Sequence, residues 1–565
     1  MRWKLQPKPD ADKVQHLQQA LGVDTFVATL LVQRGIETFE AAKDFFRPQL
    51  SHLHDPYLMK DMEKAVARIE EAIANGEHIL VYGDYDVDGT TAVSLMSSYL
   101  LSIYPAVATY IPDRYNEGYG VSYQGIDFAY DNEVTLIVAL DCGIKAVEKV
   151  AYAKEKGIDF VICDHHRPGA TVPDAVAVLD PKQEDCNYPY DELCGCGVGF
   201  KLIQALAANR EQTITDLIPY LDLVATAIAA DIVPITGENR VLCYYGLKVI
   251  NSQPRVGIKA LIGELKKKEL TVTDVVFIIA PRINAAGRME HGQHAVNLLT
   301  ETDEAQATFF AKDIEEYNAN RRSLDEQITQ EALAQIQDLK EENNSTSVVY
   351  DESWHKGVIG IVASRLTETY FRPTLVFTKS GEKLAASARS VPGFDVYNAL
   401  EACADCIEQF GGHKYAAGLT LLPEQYDVFK AKFEAVVKET IDTKLLTPEI
   451  TIDEVIPLEA INAKFYRIIK QFAPFGPGNM TPVFMTEQVT DTGWGKKVGE
   501  TGDHLRFVLD APLPGERKNL TGIGFGLGDK YELITHKKPF AIAYTIDENE
   551  WQGTVSLQLR VKDLR

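Results

Sequence analysis

The sequence predicts an α/β protein that begins with helices, continues through a mostly parallel sheet and ends in a small β-barrel. Apolar strand-like runs alternate with helical patterns from about residue 77 to 235, and again from about 345 to 440. Such alternation is typical of βαβ units. Beyond about residue 450, apolar and polar residues alternate singly between glycine and proline turns. This second pattern predicts the antiparallel strands of a barrel.

The composition is that of a multidomain globular protein. The chain has 565 residues, of which 45% are hydrophobic and 24% charged, and its formal net charge is −24. This charge argues against nucleic-acid binding over a broad surface, but it allows a local basic groove. The longest apolar stretch, near residues 221–235, is interrupted by two aspartates, so no membrane span is predicted.

The eight cysteines do not suggest a disulfide framework in so long a chain. Cys194-x-Cys196 and Cys403-x-x-Cys406 resemble half-sites for zinc, but no second pair lies near either one. Buried thiols are the favoured interpretation, and we therefore expect a cytoplasmic protein.

The first 76 residues are predicted to be helical. Apolar residues recur at helical spacing within residues 17–21, 26–31 and 62–73. These segments predict a helical cap before the first strand.

Three carboxylates on alternate residues follow the first strand-like run, Ile79–Val81. They are Asp84, Asp86 and Asp88, and glycines bracket them. Like charges held so close repel one another unless cations meet them, and oxygen ligands suit hard divalent ions. A solvated acidic turn is the alternative. An EF-hand is excluded, because the glutamate that its loop requires is Leu95 in this sequence.

Acidic or imidazole residues also follow the next two strand-like runs, 135–140 and 160–163. The carboxyl ends of parallel strands form the usual ligand-binding edge of such sheets. Each acid could instead cap a helix, but the three motifs together favour a metal site. The residues after the runs are Asp141 in the first case and Asp164, His165 and His166 in the second.

A fourth acid, Asp231, lies near the end of an apolar stretch, residues 223–234, that is typical of a buried helix. Burying one carboxylate alone is costly, which makes a metal ion a plausible companion.

These four segments, in this order, resemble the motifs of the DHH phosphoesterase superfamily, and within it the RecJ family of exonucleases. The resemblance covers nearly the whole chain. The Asp-His-His triplet alone is a weak signal of the family, but four motifs in this order are a specific one. The segments are Asp84-Tyr-Asp86-Val-Asp88-Gly89, Ala139-Leu-Asp141-Cys-Gly143, Asp164-His165-His166 and Ala230-Asp231-Ile-Val-Pro234.

The resemblance implies five domains. A long charged stretch, from Asp303 to about Leu339, could span about 50 Å as one linker helix, although two broken helices remain open. The implied domains are a helical cap (1–76), a DHH domain (77–300), the linker helix (301–342), a DHHA1 α/β domain (343–445) and a C-terminal OB-fold barrel (446–565).

The resemblance also implies roles for the acidic and histidine motifs. Two divalent metal ions are expected, and a histidine among the ligands favours Mn²⁺ over Mg²⁺. Asp141 would bridge the ions, His166 would meet the scissile phosphate, Asp164 would orient the site, and Arg282 and His413 would assist catalysis. The implied ligands are Asp84, Asp86, Asp88, Asp141, His165 and Asp231.

Further positions match those that contact DNA in the family. Ser387 and Arg389 alternate on a predicted strand and so share one face, although a surface pair is the alternative. With Arg114 they are expected to bind a terminal 5′ phosphate. Trp494 and Phe507 are candidates for the barrel surface. The remaining expected nucleic-acid contacts are Asn284, Arg288, Trp354, His355, Lys356, Gly411, Gly412, Lys496, Lys497 and Arg506.

The function implied by the resemblance is 5′-to-3′ hydrolysis of single-stranded DNA by a two-metal mechanism, in DNA repair and recombination. The implied partners are single-stranded DNA, a single-strand-binding protein and a recombination helicase. Alternatives are a nuclease for short RNA, a cyclic-dinucleotide phosphodiesterase, a pyrophosphatase or a non-catalytic single-strand-binding scaffold. Small substrates need no strand-binding barrel, and a scaffold has no need for acids at every motif, so the exonuclease is preferred.

Overall fold

The computed structural model describes residues 1–263, 265, 267–513, 516–551 and 553–565. Its strands are β1 (Arg2–Leu5), β2 (His78–Gly83), β3 (Val107–Tyr110), β4 (Val134–Leu140), β5 (Asp159–Cys163), β6 (Ala177–Leu179), β7 (Ser347–Tyr350), β8 (Thr374–Ser380), β9 (Lys383–Arg389), β10 (Gln409–His413), β11 (Ala416–Leu421), β12 (Glu449–Ile452), β13 (Glu454–Val455), β14 (Phe484–Val489), β15 (Lys496–Val498), β16 (His504–Leu513), β17 (Glu516–Gly524), β18 (Phe540–Trp551) and β19 (Thr554–Leu564).

Its helices are α1 (Ala11–Leu21), α2 (Thr25–Gln33), α3 (Phe39–Phe46), α4 (Met62–Asn75), α5 (Val87–Ile103), α6 (Tyr123–Asp131), α7 (Val147–Glu155), α8 (Gly195–Ala208), α9 (Leu221–Ala230), α10 (Gly237–Ser252), α11 (Val256–Ile262), α12 (Val272–Asp274), α13 (Ala280–Met289), α14 (Gln293–Thr300), α15 (Glu304–Asp338), α16 (Ile359–Tyr370), α17 (Val396–Glu401), α18 (Tyr426–Thr440), α19 (Ala463–Lys470) and α20 (Tyr531–Ile534). None of them, within the described residues, combines the length and the apolar character that crossing a membrane requires.

The chain divides into two compact units. We call the first the terminal unit, because it contains both chain ends, and the second the internal unit. The terminal unit comprises Met1–His54, Ile232–Tyr245 and Glu449–Arg565; the internal unit comprises Asp55–Asp231 and Gly246–Pro448.

The internal unit contains a five-stranded parallel sheet with the order β3-β2-β4-β5-β6. The mostly parallel sheet predicted from the sequence is therefore confirmed. Strands β2, β4 and β5 are almost wholly buried, as expected of a sheet covered by helices on both faces. Strands β3 and β6 were not predicted, because four and three residues are too few to show a pattern.

A second sheet of the internal unit has the order β10-β11-β9-β8-β7. Strands β7 and β8 are parallel, and the other pairs are antiparallel. The predicted linker is one continuous helix of 35 residues, α15, and not two broken helices. It packs against both α13 and α16.

The terminal unit contains α1–α3 and a seven-stranded sheet with the order β13-β14-β18-β19-β17-β16-β15. This sheet is open within the described residues and is consistent with the predicted OB-fold. Its edge strands, β13 and β15, have only two and three residues, so neither offers a long ladder for closure. The N-terminal segment also contains a strand that the helical prediction missed, since β1 pairs with β12.

A buried guanidinium ties together three segments of the terminal unit. Arg240 donates five hydrogen bonds to the carbonyl oxygens of Phe45, Phe472, Ala473 and Pro474, at 2.8–3.3 Å. Its guanidinium also lies 3.9 Å from the centre of the Phe45 ring. Burial lowers the pKa of Arg240 to about 10. The cation is therefore held by carbonyl dipoles and an aromatic face.

We predict that Arg240→Lys destabilises the terminal unit by about 2 kcal/mol, because an ammonium cannot reproduce the planar fork of five donors. The measurement is the urea midpoint and melting temperature of both proteins. Arg47→Lys, at an exposed position of the same unit, is the control and should melt with the wild type. Equal stability of Arg240→Lys and wild type would show that the fork does not hold these segments.

Candidate metal centre and phosphate sites

Three of the predicted acids lie at neighbouring strand ends of the parallel sheet. Asp84, Asp141 and Asp164 directly follow β2, β4 and β5, and all three are buried. The backbone amide of Asp141 donates to the carbonyl of Cys163 at 2.9 Å, and that of Asp164 donates to Leu179 at 3.0 Å. The strand ladder therefore continues through the acids and fixes them side by side, as the sequence predicted.

The other two acids of the first motif belong to a helix and not to the predicted turn. Helix α5 begins at Val87, and Asp86 caps it by accepting a 3.2 Å hydrogen bond from the amide of Gly89. Asp88 lies in its first turn. The two carboxylate oxygens of Asp88 accept hydrogen bonds from the amides of Gly195 and Cys196, at 2.6 and 2.8 Å. The start of α8 therefore orients this carboxylate.

Asp141 has an unusual backbone conformation, with φ of 57° in the left-handed region. Its neighbour in space is Gly195, where an added Cβ would lie 2.5 Å from the Asp141 Cβ and 2.8 Å from its Oδ1. Glycine is therefore required at the start of α8. Cys194 and Cys196 in this segment are buried and form no disulfide.

His165 forms the centre of the acidic cluster. Its Nε2 lies 3.2 Å from Asp141 Oδ1, 3.7 Å from Asp231 Oδ2 and 3.8 Å from Asp88 Oδ2. Asp231 reaches this point from the carboxyl end of α9, a helix that is buried as predicted. Within the described residues, His165 Nε2, Asp141 Oδ1 and Asp84 Oδ2 are buried and lack a hydrogen-bond partner. Ligand atoms that face one another without bonding fit a shared cation, and two overlapping groups can hold one.

The protonation of this cluster is dominated by burial and mutual repulsion. Burial, followed by the charge of Asp86, raises the pKa of Asp88 to about 7; burial and the charges of Asp88 and Asp86 raise that of Asp231 to about 8. The pKa of Asp141 is raised well above its usual range for the same reasons. Burial lowers the pKa of His165 to about 3, so the imidazole is neutral and free to bind a metal. Divalent cations would offset the repulsion between the carboxylates, which otherwise raises their pKa values and favours the protonated forms.

The buried Asp164 carboxylate is hydrogen-bonded to the His166 ring and to backbone amides. Its Oδ1 accepts from His166 Nδ1 at 2.7 Å, and its Oδ2 accepts from the amide of Ile144 at 2.9 Å. Burial opposes both charges, but the Asp164–His166 hydrogen bond and ion pair lower the pKa of Asp164 to about 2 and raise that of His166 to about 9. The remaining His166 nitrogen, Nε2, lies 3.2 Å from the Tyr119 hydroxyl. The geometry therefore presents a charged imidazole beside the cluster.

Three arginines of the internal unit converge without acidic partners in the described part of the chain. Arg114 donates to the carbonyl of Gly287 at 2.9 Å, and Arg288 donates to that of Gly357 at 2.9 Å. Burial, followed by the charges of Arg114 and Arg389, lowers the pKa of Arg288 to about 10. The three cations therefore lie near one another in a site that suits an anion.

Ser387 and Arg389 form the pair that their alternation on β9 predicts. Arg389 donates to the Ser387 hydroxyl at 3.0 Å. Both abut Gly360, where an added Cβ would lie 3.0 Å from Ser387 Oγ and from an Arg389 terminal nitrogen. Glycine at the start of α16 therefore leaves the space into which these two polar groups project.

The other residues predicted to contact phosphate differ in burial and in their hydrogen-bond partners. Arg282 forms a 2.6 Å ion pair with Glu315 of α15, whereas Asn284 has a buried amide oxygen without a partner in the described residues. His413 is exposed at the end of β10, and burial and then the charges of Arg389 and His166 lower its pKa. Both Gly411 and Gly412 pair with β11 beside it.

The segment of Trp354, His355 and Lys356 divides between core and surface. Trp354 is only 4% exposed, and its indole N–H donates to Glu331 at 2.8 Å. This corrects the predicted nucleic-acid contact, because a buried ring whose donor is already bonded offers nothing to DNA. His355 packs edge-on against the Tyr115 ring, and the exposed Lys356 ammonium lies 3.2 Å from the Ser380 hydroxyl.

In the terminal unit, three basic residues that were predicted to contact nucleic acid are exposed on adjacent strands. Lys496 of β15 lies opposite Arg506 of β16 in the antiparallel register, and Lys497 is the next residue of β15. Trp494, just before β15, is 76% exposed. Phe507 is fully buried in the core of the sheet, which corrects its prediction as a surface residue.

Sequence reasoning missed three residues at the same edge of the parallel sheet: Tyr119, Asp180 and Gly195. Tyr119 lies against His166, and Asp180 directly follows the unpredicted strand β6. Asp180 is buried, with one oxygen unpartnered within the described residues and the other accepting from the amide of Lys182 at 2.8 Å. An acid after a three-residue strand gives no clear signal in the sequence.

The chain matches three family profiles. They are the DHH family N-terminal domain over residues 78–228, the DHHA1 domain over 343–439 and the RecJ OB domain over 452–563.

The chain is also similar to curated proteins named single-stranded-DNA-specific exonuclease RecJ. It is 36% identical to the Bacillus subtilis protein over 100% of this chain and 70% of the relative. The corresponding figures are 31%, 90% and 90% for the Escherichia coli protein. For the Thermus thermophilus protein they are 29%, 100% and 79%.

Two crystal structures of Thermus thermophilus RecJ resemble the fold over the whole chain. The complex with Mn²⁺ gives a TM-score of 0.85 at 28% identity, and covers 100% of this chain and 79% of that one. The complex with Mg²⁺ gives 0.79 at 26% identity, with 100% and 78% covered.

We predict that Gly195→Ala weakens Mn²⁺ binding by at least about tenfold, because the new methyl group would displace the Asp141 backbone and carboxylate. Gly197→Ala, two residues further along α8, is the control, since its nearest contact would be an ordinary 3.4 Å. Titration calorimetry with Mn²⁺ measures both variants. Equal affinities would mean that the close approach at Gly195 does not position the cluster.

Proposed function

This chain belongs to the RecJ family of single-stranded-DNA-specific exonucleases, and from this membership we propose that it hydrolyses single-stranded DNA from the 5′ end with two divalent metal ions. One observation carries the proposal. A buried group of acids around a neutral imidazole lies in the same compact unit as three arginines without acidic partners among the described residues. Divalent cations would neutralise the acidic cluster, and a terminal phosphate would neutralise the arginines.

The unpartnered atoms of the cluster support the proposed ligand set. When bound, divalent ions would activate water and neutralise charge on the phosphate and the leaving oxygen. We propose that both ions share Asp141 as a ligand. Its Oδ1 has no hydrogen-bond partner among the described residues and lies 3.2 Å from His165 Nε2, the atom around which Asp88 and Asp231 also lie. The proposed ligands are Asp84, Asp86, Asp88, Asp141, His165 and Asp231.

The proposed role of His166 follows from its partner. Asp164 holds the imidazole in its charged form and fixes the ring through Nδ1, which leaves Nε2–H to donate to an oxygen of the scissile phosphate. Asp164 is thus a positioning residue. Arg282 and His413 are proposed as further phosphate contacts, and Arg282 would have to exchange Glu315 for the substrate.

We also propose a preference for Mn²⁺ over Mg²⁺. The support is chemical, because an imidazole nitrogen among carboxylates suits Mn²⁺ better than Mg²⁺, which prefers oxygen and retains its water. His165 is the nitrogen ligand in question.

The direction of digestion is proposed from the arginine site. A terminal 5′ phosphate carries more charge than a phosphodiester, and the guanidinium groups of Arg114 and Arg389 with the Ser387 hydroxyl offer matching donors. The proposed wider contacts with the strand are Asn284, Arg288, His355, Lys356, Gly411, Gly412, Lys496, Lys497 and Arg506.

Family membership further supports a role in DNA repair and recombination, with a single-strand-binding protein and a recombination helicase as partners. Co-purification with tagged protein would test the partners. A cytoplasmic location is proposed on the eight free thiols.

The proposed function is tested with strands labelled at either end. We expect stepwise loss from the 5′ end of single-stranded DNA with Mn²⁺, slower loss with Mg²⁺, none in EDTA and little loss of blunt duplex. Asp141→Ala should abolish hydrolysis while it keeps the melting temperature close to that of the wild type. Loss from the 3′ end, or near-normal turnover by folded Asp141→Ala, would contradict the proposal.

We predict that Arg389→Ala reduces the preference for a 5′ phosphate over a 5′ hydroxyl by about tenfold to a hundredfold, since a charge-assisted hydrogen bond contributes about 1.5–3 kcal/mol. The measurement is kcat/KM on both substrates. Lys379→Ala removes an exposed cation from the neighbouring strand β8 and serves as the control. An unchanged ratio in Arg389→Ala would place the terminal phosphate elsewhere.

A further inference from the structure

A cavity of about 190 Å³ lies beside the proposed metal centre. Its wall includes Tyr119, His166, the Asp164 carboxylate that is hydrogen-bonded to His166, and Cys142, the residue after Asp141. The cavity therefore adjoins the imidazole that is proposed to contact the scissile phosphate. None of the roles assigned above uses this space.

Two lysines complete the cavity wall. Lys145 precedes α7 and Lys149 lies in its first turn. The Cys142 side chain that lines the same cavity is buried. The cavity thus combines buried side chains with two positive charges.

Neither lysine has an acidic partner within the described residues. Two further lysines near the end of the same helix differ in this respect, since Lys154 pairs with Asp174 at 2.5 Å and Lys156 pairs with Asp127 at 3.1 Å. In a chain with a net charge of −24, acids are abundant. Two lysines that line one cavity without an acidic partner among the described residues therefore indicate an anionic ligand.

We propose that the cavity of Lys145 and Lys149 binds a nucleotide phosphate next to the scissile one. The inference rests on the proposed function and assigns these lysines to substrate binding. The space suits a single phosphate with its sugar, and ammonium groups bind phosphate as point charges without reading the base. The two lysines would also offset the repulsion between DNA and the nearby acidic cluster.

The test compares two double variants of the same segment. Lys145→Gln with Lys149→Gln removes the cavity cations, and Lys154→Gln with Lys156→Gln makes the same change in net charge at the paired positions. Binding of a labelled oligodeoxythymidylate is measured in EDTA, which prevents hydrolysis, at several KCl concentrations. Melting temperatures establish that both variants are folded.

We expect the cavity variant to bind the strand more weakly and to reduce the slope of log Kobs against log [KCl] by about 0.7, since the cavity holds one phosphate and each neutralised phosphate of a single strand contributes about 0.7. The control variant should keep the wild-type slope. A purely structural role of the lysines would lower stability without this change in salt dependence.

A second arm identifies the source of the phosphate. With Mn²⁺ present, inhibition of hydrolysis by thymidine 5′-monophosphate is measured for all three proteins. A changed slope assigns the cavity to the intact strand, and a weakened inhibition alone assigns it to the released nucleotide. If neither differs from the control variant, the proposal is overturned. A wild type that leaves DNA intact would contradict the proposed function instead, and the binding slopes would still decide on the cavity.

Discussion

The repulsion among buried carboxylates at the edge of the parallel sheet is the constraint on which the rest of the internal unit depends. Asp84, Asp88, Asp141 and Asp231 are brought together in a place where water cannot screen them, and their pKa values rise in consequence. Above those pKa values the ionised cluster destabilises the fold unless cations bind. Metal binding therefore stabilises the folded state as well as enabling the reaction. This coupling explains why so much backbone geometry serves the cluster.

That geometry is supplied by local features with a definite cost. The left-handed conformation of Asp141 and the absence of a side chain at Gly195 are both unfavourable in isolation. The first turn of α8 offsets them, because its amides bond Asp88 and orient it toward His165. The strained backbone at Asp141, the start of α8 and the ends of the parallel strands thus together position the metal ligands. A change to any of them should act on metal affinity before it acts on the fold.

The sequence predicted the site residues well where their position follows from the end of a strand. It predicted them poorly where their role depends on a contact with a residue far away in the chain. Acids directly after apolar runs give a clear signal, so the residue pattern alone placed Asp141 and Asp164 at the sheet edge. Gly195 could not be found in this way, because its role is to leave space for a residue far away in the chain. Trp354 and Phe507 failed for a related reason: an aromatic side chain in a suggestive segment serves the core or the surface equally well, and only burial decides. Short strands such as β6 contain too few residues for a pattern to appear.

The distribution of ion pairs separates structural charges from functional ones. Arg255 and Arg365 are committed to the buried carboxylates of Asp222 and Asp325, and such pairs lock helices together. Arg389, by contrast, contacts only neutral oxygens in the described part of the chain, namely the Ser387 hydroxyl and a backbone carbonyl. The residue type is the same in all these cases, so residue type alone cannot separate structural arginines from functional ones. Among the described residues, the internal unit holds buried carboxylate oxygens without a hydrogen-bond partner and arginines without an acidic partner. A polyanion that binds together with divalent metal ions would satisfy both.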